Sequence, residues 1–238
     1  MKSFIIYSIA LCVATFSFAQ RNMVVGQQAI DDSRYEGKEK NPYLFQEFAT
    51  AKATNTKKGE TVEYLINYNG HSKEFEFIHK DVKSAMDARY YDVIEVTDYT
   101  PSEHYPAKFA SNNIKFMKGL NPKKPKSFSL VVYEDENLVL FKNFVATINK
   151  KEFNDPARGV VNIETFAPRF NYYIQVAGET KSIGLNKKKV LSALNNSKVD
   201  SYVKKNKIKL KNEAELVELI SYYAELTGAA ATSVAAND

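Results

Sequence analysis

The chain has 238 residues, of which 44% are hydrophobic and 13% aromatic, with 33 basic side chains against 28 acidic ones and a net charge of +5. This composition excludes a collagen-like, low-complexity or disulfide-stapled chain, and so mild a positive balance gives only a modest overall preference for anions. The single cysteine, Cys12, confines any thiol chemistry to the first few residues.

Residues 1–19 read as a signal peptide. Met1, Lys2 and Ser3 make a short positive start, residues 4–19 are apolar or small, and Ser17-Phe18-Ala19 before Gln20 fits the small-x-small cleavage pattern. The apolar run is shorter than the ~20 residues of a membrane-spanning helix. Leu11 before Cys12 does not suit lipoprotein processing. Cleavage would remove the cysteine and leave 219 of the 238 residues. A chain of that size buries roughly 70–75% of its unfolded surface, enough to fold on burial alone without disulfides. The expected address is the periplasm, the outer membrane or the exterior.

Residues 20–59 read as a polar lead-in, broken by Gly26, Gly37 and Pro42 and ending in a Thr/Lys-rich stretch. Within it Tyr43, Leu44, Phe45 and Phe48 form an apolar cluster expected to clip onto a sheet. Residues 60–184 carry the strand signals. Residues 61–68 and 71–80 alternate around Asn69-Gly70, the preferred pair for a type I′ hairpin turn. Residues 90–96 and 107–117 predict further strands. Residues 128–133 and 138–148 predict a second hairpin across an acidic turn. Residues 160–166 resume after Asn154-Asp155-Pro156, and residues 172–176 with 181–183 predict a last hairpin across Gly178. Eight or nine strands at this spacing predict a mainly β, α+β chain: an antiparallel β-sandwich or a strongly bent sheet.

After Leu185 the period changes from two to 3.6. Helices are predicted with caps at Asn186, Ser197 and Asn212, the third carrying the stripe Leu216, Leu219, Ile220, Tyr223, Leu226 and ending at Gly228. This helical segment, 185–228, is expected to pack on the β body, with 229–238 as a flexible tail.

Chemistry-bearing motifs are few. His71 and His79 fall eight residues apart on one predicted strand, about 26 Å at the usual rise, too far to share a metal ion, and His104 sits in a Pro-flanked loop. No nucleophile elbow, zinc-protease signature, calcium loop or phosphate-cradling glycine loop occurs. Asp87 with Asp92, and Glu134, Asp135 and Glu136, are the acids that a carboxylate-pair hydrolase would draw on. Tyr90-Tyr91 and Tyr172-Tyr173 read as sheet packing, with a sugar or peptide groove as the alternative. No catalytic, cofactor-binding or metal residue is assigned, and no cofactor is expected.

One candidate surface remains. Residues 181–211 hold ten lysines against one acid, Asp200. Lys187, Lys188, Lys189, Lys204, Lys205, Lys207, Lys209 and Lys211 form a candidate patch for anions or a partner, with Ile208 and Leu210 turned inward. Solvation of a basic protein is the plainer explanation of such a run. No arginine lies among them, which argues against bidentate phosphate recognition, and an export signal argues against nucleic acid.

Asn41-Pro42-Tyr43-Leu44-Phe45, the run from Lys205 through Lys207, Lys209 and Lys211 to Glu213, and Tyr222-Tyr223 resemble features of a group of uncharacterised exported proteins of gram-negative bacteria. The resemblance covers the two ends of the chain and implies a β-rich body with a short helical tail and an envelope or secreted address. The expected function is a non-enzymatic binding or structural accessory role in the cell envelope, with another envelope protein or an anionic envelope component as partner. The alternatives are an envelope-polymer hydrolase and electrostatic docking to anionic membrane.

Overall fold

A computed structural model describes residues 29–103, 105, 114–157 and 159–228. The signal segment, the tail 229–238, His104 and most of the strand expected at 107–117 lie outside these residues. Ten strands form one antiparallel sheet, followed by three helices. The architecture is therefore the bent single sheet rather than the sandwich.

The strands are β1 (Ala49–Asn55), β2 (Glu60–Asn69), β3 (Glu74–His79), β4 (Val82–Ala85), β5 (Val93–Asp98), β6 (Ile114–Lys118), β7 (Phe128–Glu134), β8 (Leu138–Asp155), β9 (Gly159–Val176) and β10 (Glu179–Ser182). Their order across the sheet is β10-β9-β8-β7-β6-β5-β1-β2-β3-β4. The stretch read as a lead-in thus supplies β1, which lies between β2 and β5. Its inward residues are Ala49, Ala51 and Ala53, all essentially buried. Alanine is a poor strand signal, so the alternation there is faint in the sequence.

The sheet is strongly curled. In a flat sheet β3 and β6, four strands apart, would lie about 19 Å from each other. The Phe75 ring of β3 instead meets Phe116 of β6 with centroids 4.9 Å apart and Phe128 of β7 at 5.3 Å. These rings, with Phe45, Ile66, Tyr68, Ile94, Val96 and Phe144, fill the inside of the curl. At the end of β2 the chain returns as far as β8, where the Ala146 amide donates to the Gly70 carbonyl at 3.0 Å.

This return explains Gly70. The turn it opens is not the two-residue type I′ turn read from Asn69-Gly70. Asn69 pairs with Glu74 and the loop spans four residues, with the positive φ at Lys73. A Cβ on Gly70 would lie 2.6 Å from the Phe144 ring and 2.9 Å from the Ala146 nitrogen, so glycine is required by proximity. Two two-residue turns have both central φ values positive: Lys80-Asp81, at 48° and 62°, joining His79 to Val82, and Ala177-Gly178, at 49° and 82°, joining Val176 to Glu179. His71 accordingly lies in a loop, with Nδ1 3.2 Å from the Ala146 carbonyl oxygen, and does not share a strand with His79.

β8 and β9 form one hairpin of eighteen residues per strand, where separate shorter strands were expected. Pro168 sits within β9, opposite Ala146. The Phe166 amide donates away from β8, to the Glu39 carbonyl, so by alternation the Pro168 nitrogen also faces the outer edge and no ladder bond is lost. The tip of this hairpin is exposed on both faces, with Phe153 at 55% and Val160 at 66%.

The helices are α1 (Lys187–Leu194), α2 (Ser197–Lys205) and α3 (Glu213–Thr227), capped by Asn186, Asn196 and Asn212, the second one residue before the expected Ser197. Val190, Leu194, Val199, Val203, Leu216, Leu219 and Ile220 pack on Tyr133, Leu138, Leu140, Tyr172 and Ile174. Even-numbered residues of β8 therefore line one continuous face, with Leu138 and Leu140 under the helices and Phe144 and Ala146 inside the curl. Among the described residues no helix is long and apolar enough to cross a membrane.

The Gly70 and Lys80-Asp81 turns make opposite predictions. Gly70→Asn, harmless if positive φ were the requirement, should destabilise by about 1–3 kcal/mol through the clash with Phe144. Lys80→Asn with Asp81→Gly should instead raise stability by up to about 1 kcal/mol, because those residues suit left-handed φ. Urea denaturation of both variants checks this, and a neutral Gly70→Asn would refute the proximity account.

Candidate functional site

Two places concentrate charge. The first is internal. Lys142 projects from β8 at the seam between the curled core and the helix-covered core, and its Nζ contacts both carboxylate oxygens of Glu213 at 2.8 and 2.6 Å. The hydroxyl of Tyr172, directly across the ladder from Lys142, donates to Glu213 at 2.8 Å. Phe170 and Tyr105 place ring centroids 4.6 and 5.0 Å from the ammonium. Glu213 stands in the first turn of α3, where the helix dipole favours a carboxylate.

Burial pushes the Lys142 pKa down, opposed by the adjacent Glu213. Burial pushes the Tyr172 and Tyr105 phenols up, with the Glu213 charge adding to both. Side-chain exposure is 1% for Lys142 and 11% for Glu213. The group is closed to any sizeable substrate, and what it does is fasten α3 to the sheet. Its signal was present in the sequence: Lys142 occupies an inward register position between Leu140 and Phe144, and Glu213 precedes Leu216 by three residues on the buried stripe of α3.

The second place is the lysine patch. All eight candidate lysines are exposed. Lys187, Lys188 and Lys204 come together around a groove of about 830 Å³ between α1 and α2, with Leu191, Ser192, Asn195, Asn196, Ser197 and Asp200. Asn195, in the left-handed conformation, ends α1, and Asn196 caps α2 by accepting from the Lys198 and Val199 amides, so the corner that shapes the groove is held by two asparagines. Lys189 and Lys205 lie outside the groove lining. Lys207, Lys209 and Lys211 are exposed between buried Ile208 and Leu210, but Lys204 and Lys205 belong to α2 and Lys207 and Leu210 have positive φ, so the segment is not extended and the expected period-two lysine face does not form.

The patch carries a net positive charge, with Asp200 as the one acid in the groove lining. Among the described residues none of the eight lysines lies within ion-pair distance of a carboxylate. Three of the four glutamates of α3 are engaged elsewhere: Glu213 with Lys142, Glu215 with the Lys211 backbone amide, and Glu218 with the Tyr202 hydroxyl. Charge segregation along the sequence therefore survives folding. Lys187 also reaches the Ile208 carbonyl at 3.4 Å, tying α1 to the segment after α2.

Of the acids considered for hydrolysis, Asp87, Asp92 and Glu134 are held in ion pairs. Asp87 is held below the usual carboxylate range by Arg89, and Asp92 by Lys118, with Thr56 adding two hydrogen bonds to Asp92. Glu134 pairs with Lys115. Asp135 is 5% exposed, and its carboxylate oxygens make no hydrogen bond among the described residues. The groove described above contains one carboxylate, Asp200. Among the described residues no three His, Cys, Asp or Glu side chains group to hold a metal ion. Tyr172 belongs to the seam, Tyr173 stacks on Phe141 at 5.2 Å on the opposite face, and the Tyr91 hydroxyl meets that of Tyr64 at 3.0 Å.

No protein-family model, no curated protein and no solved structure matches this chain.

The Lys142–Glu213 pair yields a test. Lys142→Met, which leaves Glu213 buried without its partner, should lose about 3–5 kcal/mol. The double variant Lys142→Met, Glu213→Leu should recover most of that loss, because an apolar replacement of both partners is often close to neutral. Thermal and chemical denaturation of the three proteins measure it, and additive losses in the double variant would contradict a coupled lock.

Proposed function

We propose that this is an exported, non-enzymatic binding or structural accessory protein of the bacterial cell envelope, which docks on an anionic envelope component through the lysine-lined face of α1 and α2. The observation that carries this reading is the net positive charge of the groove, where three lysines stand against one carboxylate, Asp200. Lys187, Lys188 and Lys204 converge there while nearby glutamates turn to the sheet, to backbone or to a tyrosine. Lysine on flexible stems suits a diffuse anionic surface better than a single bidentate ligand. Export is supported by residues 1–19, whose positive start, apolar run and Ser17-Phe18-Ala19 fit a signal peptide.

The test is affinity capture from a bacterial envelope extract, using the protein without residues 1–19 and a Lys187→Glu, Lys188→Glu, Lys204→Glu variant. The expected result is a stoichiometric anionic partner retained by the parent, weakened at least tenfold by the variant, and lost toward 1 M salt, where the screening length is about 3 Å. Equal capture by the variant, or retention insensitive to salt, would remove the patch from the function. Hydrolysis of envelope polymer by the parent would overturn the non-enzymatic reading itself.

A further inference from the structure

Two tyrosines meet face to face where α2 lies against α3. The Tyr202 and Tyr222 ring centroids are 3.8 Å apart, with 15° between the ring planes. Aromatic pairs ordinarily sit at roughly 4.5–7 Å, so these two phenols are in unusually close face contact. Other tyrosine pairs among the described residues meet edge to face: Tyr35 with Tyr43 at 6.5 Å and 78°, Tyr64 with Tyr91 at 6.1 Å and 79°, and Tyr99 with Tyr105 at 5.8 Å and 60°. Tyr202 and Tyr222 are both half-buried, which keeps them within reach of solvent.

One of the two phenols has a base beside it. The Tyr202 hydroxyl donates to Glu218 Oε1 at 2.9 Å, one turn before Tyr222 on α3. That bond raises the Tyr202 pKa, so the phenol keeps its proton at neutral pH and has a carboxylate placed to take it when an electron leaves. Tyr43 and Tyr172 also donate to carboxylates, but among the described residues neither is stacked on a second phenol.

Face contact is the arrangement that radical coupling needs. A phenoxyl radical holds its unpaired electron in p orbitals perpendicular to the ring, with density on the ortho carbons. Stacked rings point these lobes at each other, and edge-to-face rings do not. With Cys12 the single cysteine, no disulfide can join the two helices.

We propose that Tyr202 and Tyr222 are a modification site, joined as dityrosine by an ortho–ortho carbon–carbon bond when a haem peroxidase and hydrogen peroxide supply one-electron oxidation. Each phenol gives up one electron and its hydroxyl proton, that of Tyr202 through Glu218. The two radicals pair their electrons in the new bond. Each bonded carbon then releases its ring proton, each oxygen takes one up, and both rings become aromatic again. Two hydrogens leave the protein in all, and one peroxide is reduced to two waters. The bond staples α2, which carries Lys204, to α3, which Glu213 fastens to the sheet. It does not depend on the function read from the α1–α2 groove.

Treatment of dilute protein with a haem peroxidase and hydrogen peroxide, followed by trypsin digestion and mass spectrometry, tests the site. Cleavage after lysine places Tyr202 in peptide 199–204 and Tyr222 in peptide 212–238. The expected product is these two peptides joined with the loss of two hydrogens, from a chain that remains a monomer, with fragment ions placing the bond at Tyr222. Tyr202→Phe and Tyr222→Phe should each abolish it, Tyr223→Phe should retain it, and Glu218→Gln should slow its formation at least threefold. Absence of the joined peptides at an oxidant dose that couples free N-acetyltyrosine amide, links formed only between chains, or fragment ions placing the bond at Tyr223 would each overturn the proposal. Because those readouts come from the parent protein, a fold disturbed in any variant leaves them to decide.

Discussion

The structure depends on the curl that brings the end of β2 back to β8 across five strand steps, about 24 Å in a flat sheet. An open ten-stranded sheet has to cover its apolar face, and here part of the cover is the sheet itself. Phenylalanine and tyrosine rings fill the interior at centroid distances of about 5–6 Å, and Gly70 lets two backbones meet where any side chain would hold them apart. Once that contact forms, the inward face of β8 at Phe144 and Ala146 is buried, and only its first residues are left for the helices.

Lys142 marks that division. A charge at the seam of two apolar cores is expensive to bury alone, and Glu213 at the start of α3 is the partner that makes it tolerable. Positional specificity follows: α3 cannot slide along the sheet without leaving a buried charge unpaired. With α3 fixed, α1 and α2 are held at its flank, and their lysines face outward around the groove. The internal ion pair and the external patch are thereby two consequences of one docking geometry, since a glutamate spent inside does not neutralise a lysine outside. A second buried acid follows the same logic near the β4 edge, where Glu76 accepts from Arg34, Tyr43 and Asn69.

Much of the body was legible because alternation is a strong signal where side chains are large. β7, the start of β8 and the α3 stripe follow directly from Phe, Leu, Val and Tyr spacing. β1 was not, because its inward residues are alanines, small enough for a crowded curl and poor as a pattern. The turns misled for a related reason: Asn69-Gly70 has type I′ composition, yet its glycine serves a contact 76 residues away with Ala146, while Lys80-Asp81 takes the left-handed conformation without the usual residues. The strands expected at 160–166 and 172–176 are one strand, with Pro168 tolerated between them because its nitrogen faces the sheet edge, a tertiary property. The lysine patch was readable as charge but not as a groove, since a groove needs the angle between α1 and α2. Glu76 and Arg34, 42 residues apart, carried no local sign of meeting.

The most direct measurement of the curl is hydrogen exchange at the Ala146 amide, compared with that of Lys150 on the same outer edge of β8. The Gly70 contact predicts that Ala146 exchanges only through global unfolding, while Lys150, beyond the reach of the returning turn, exchanges orders of magnitude faster. Equal and fast exchange at both amides would mean that the β2 end does not rest on β8, and the enclosed core, the seam and the placement of the helices would all need another explanation.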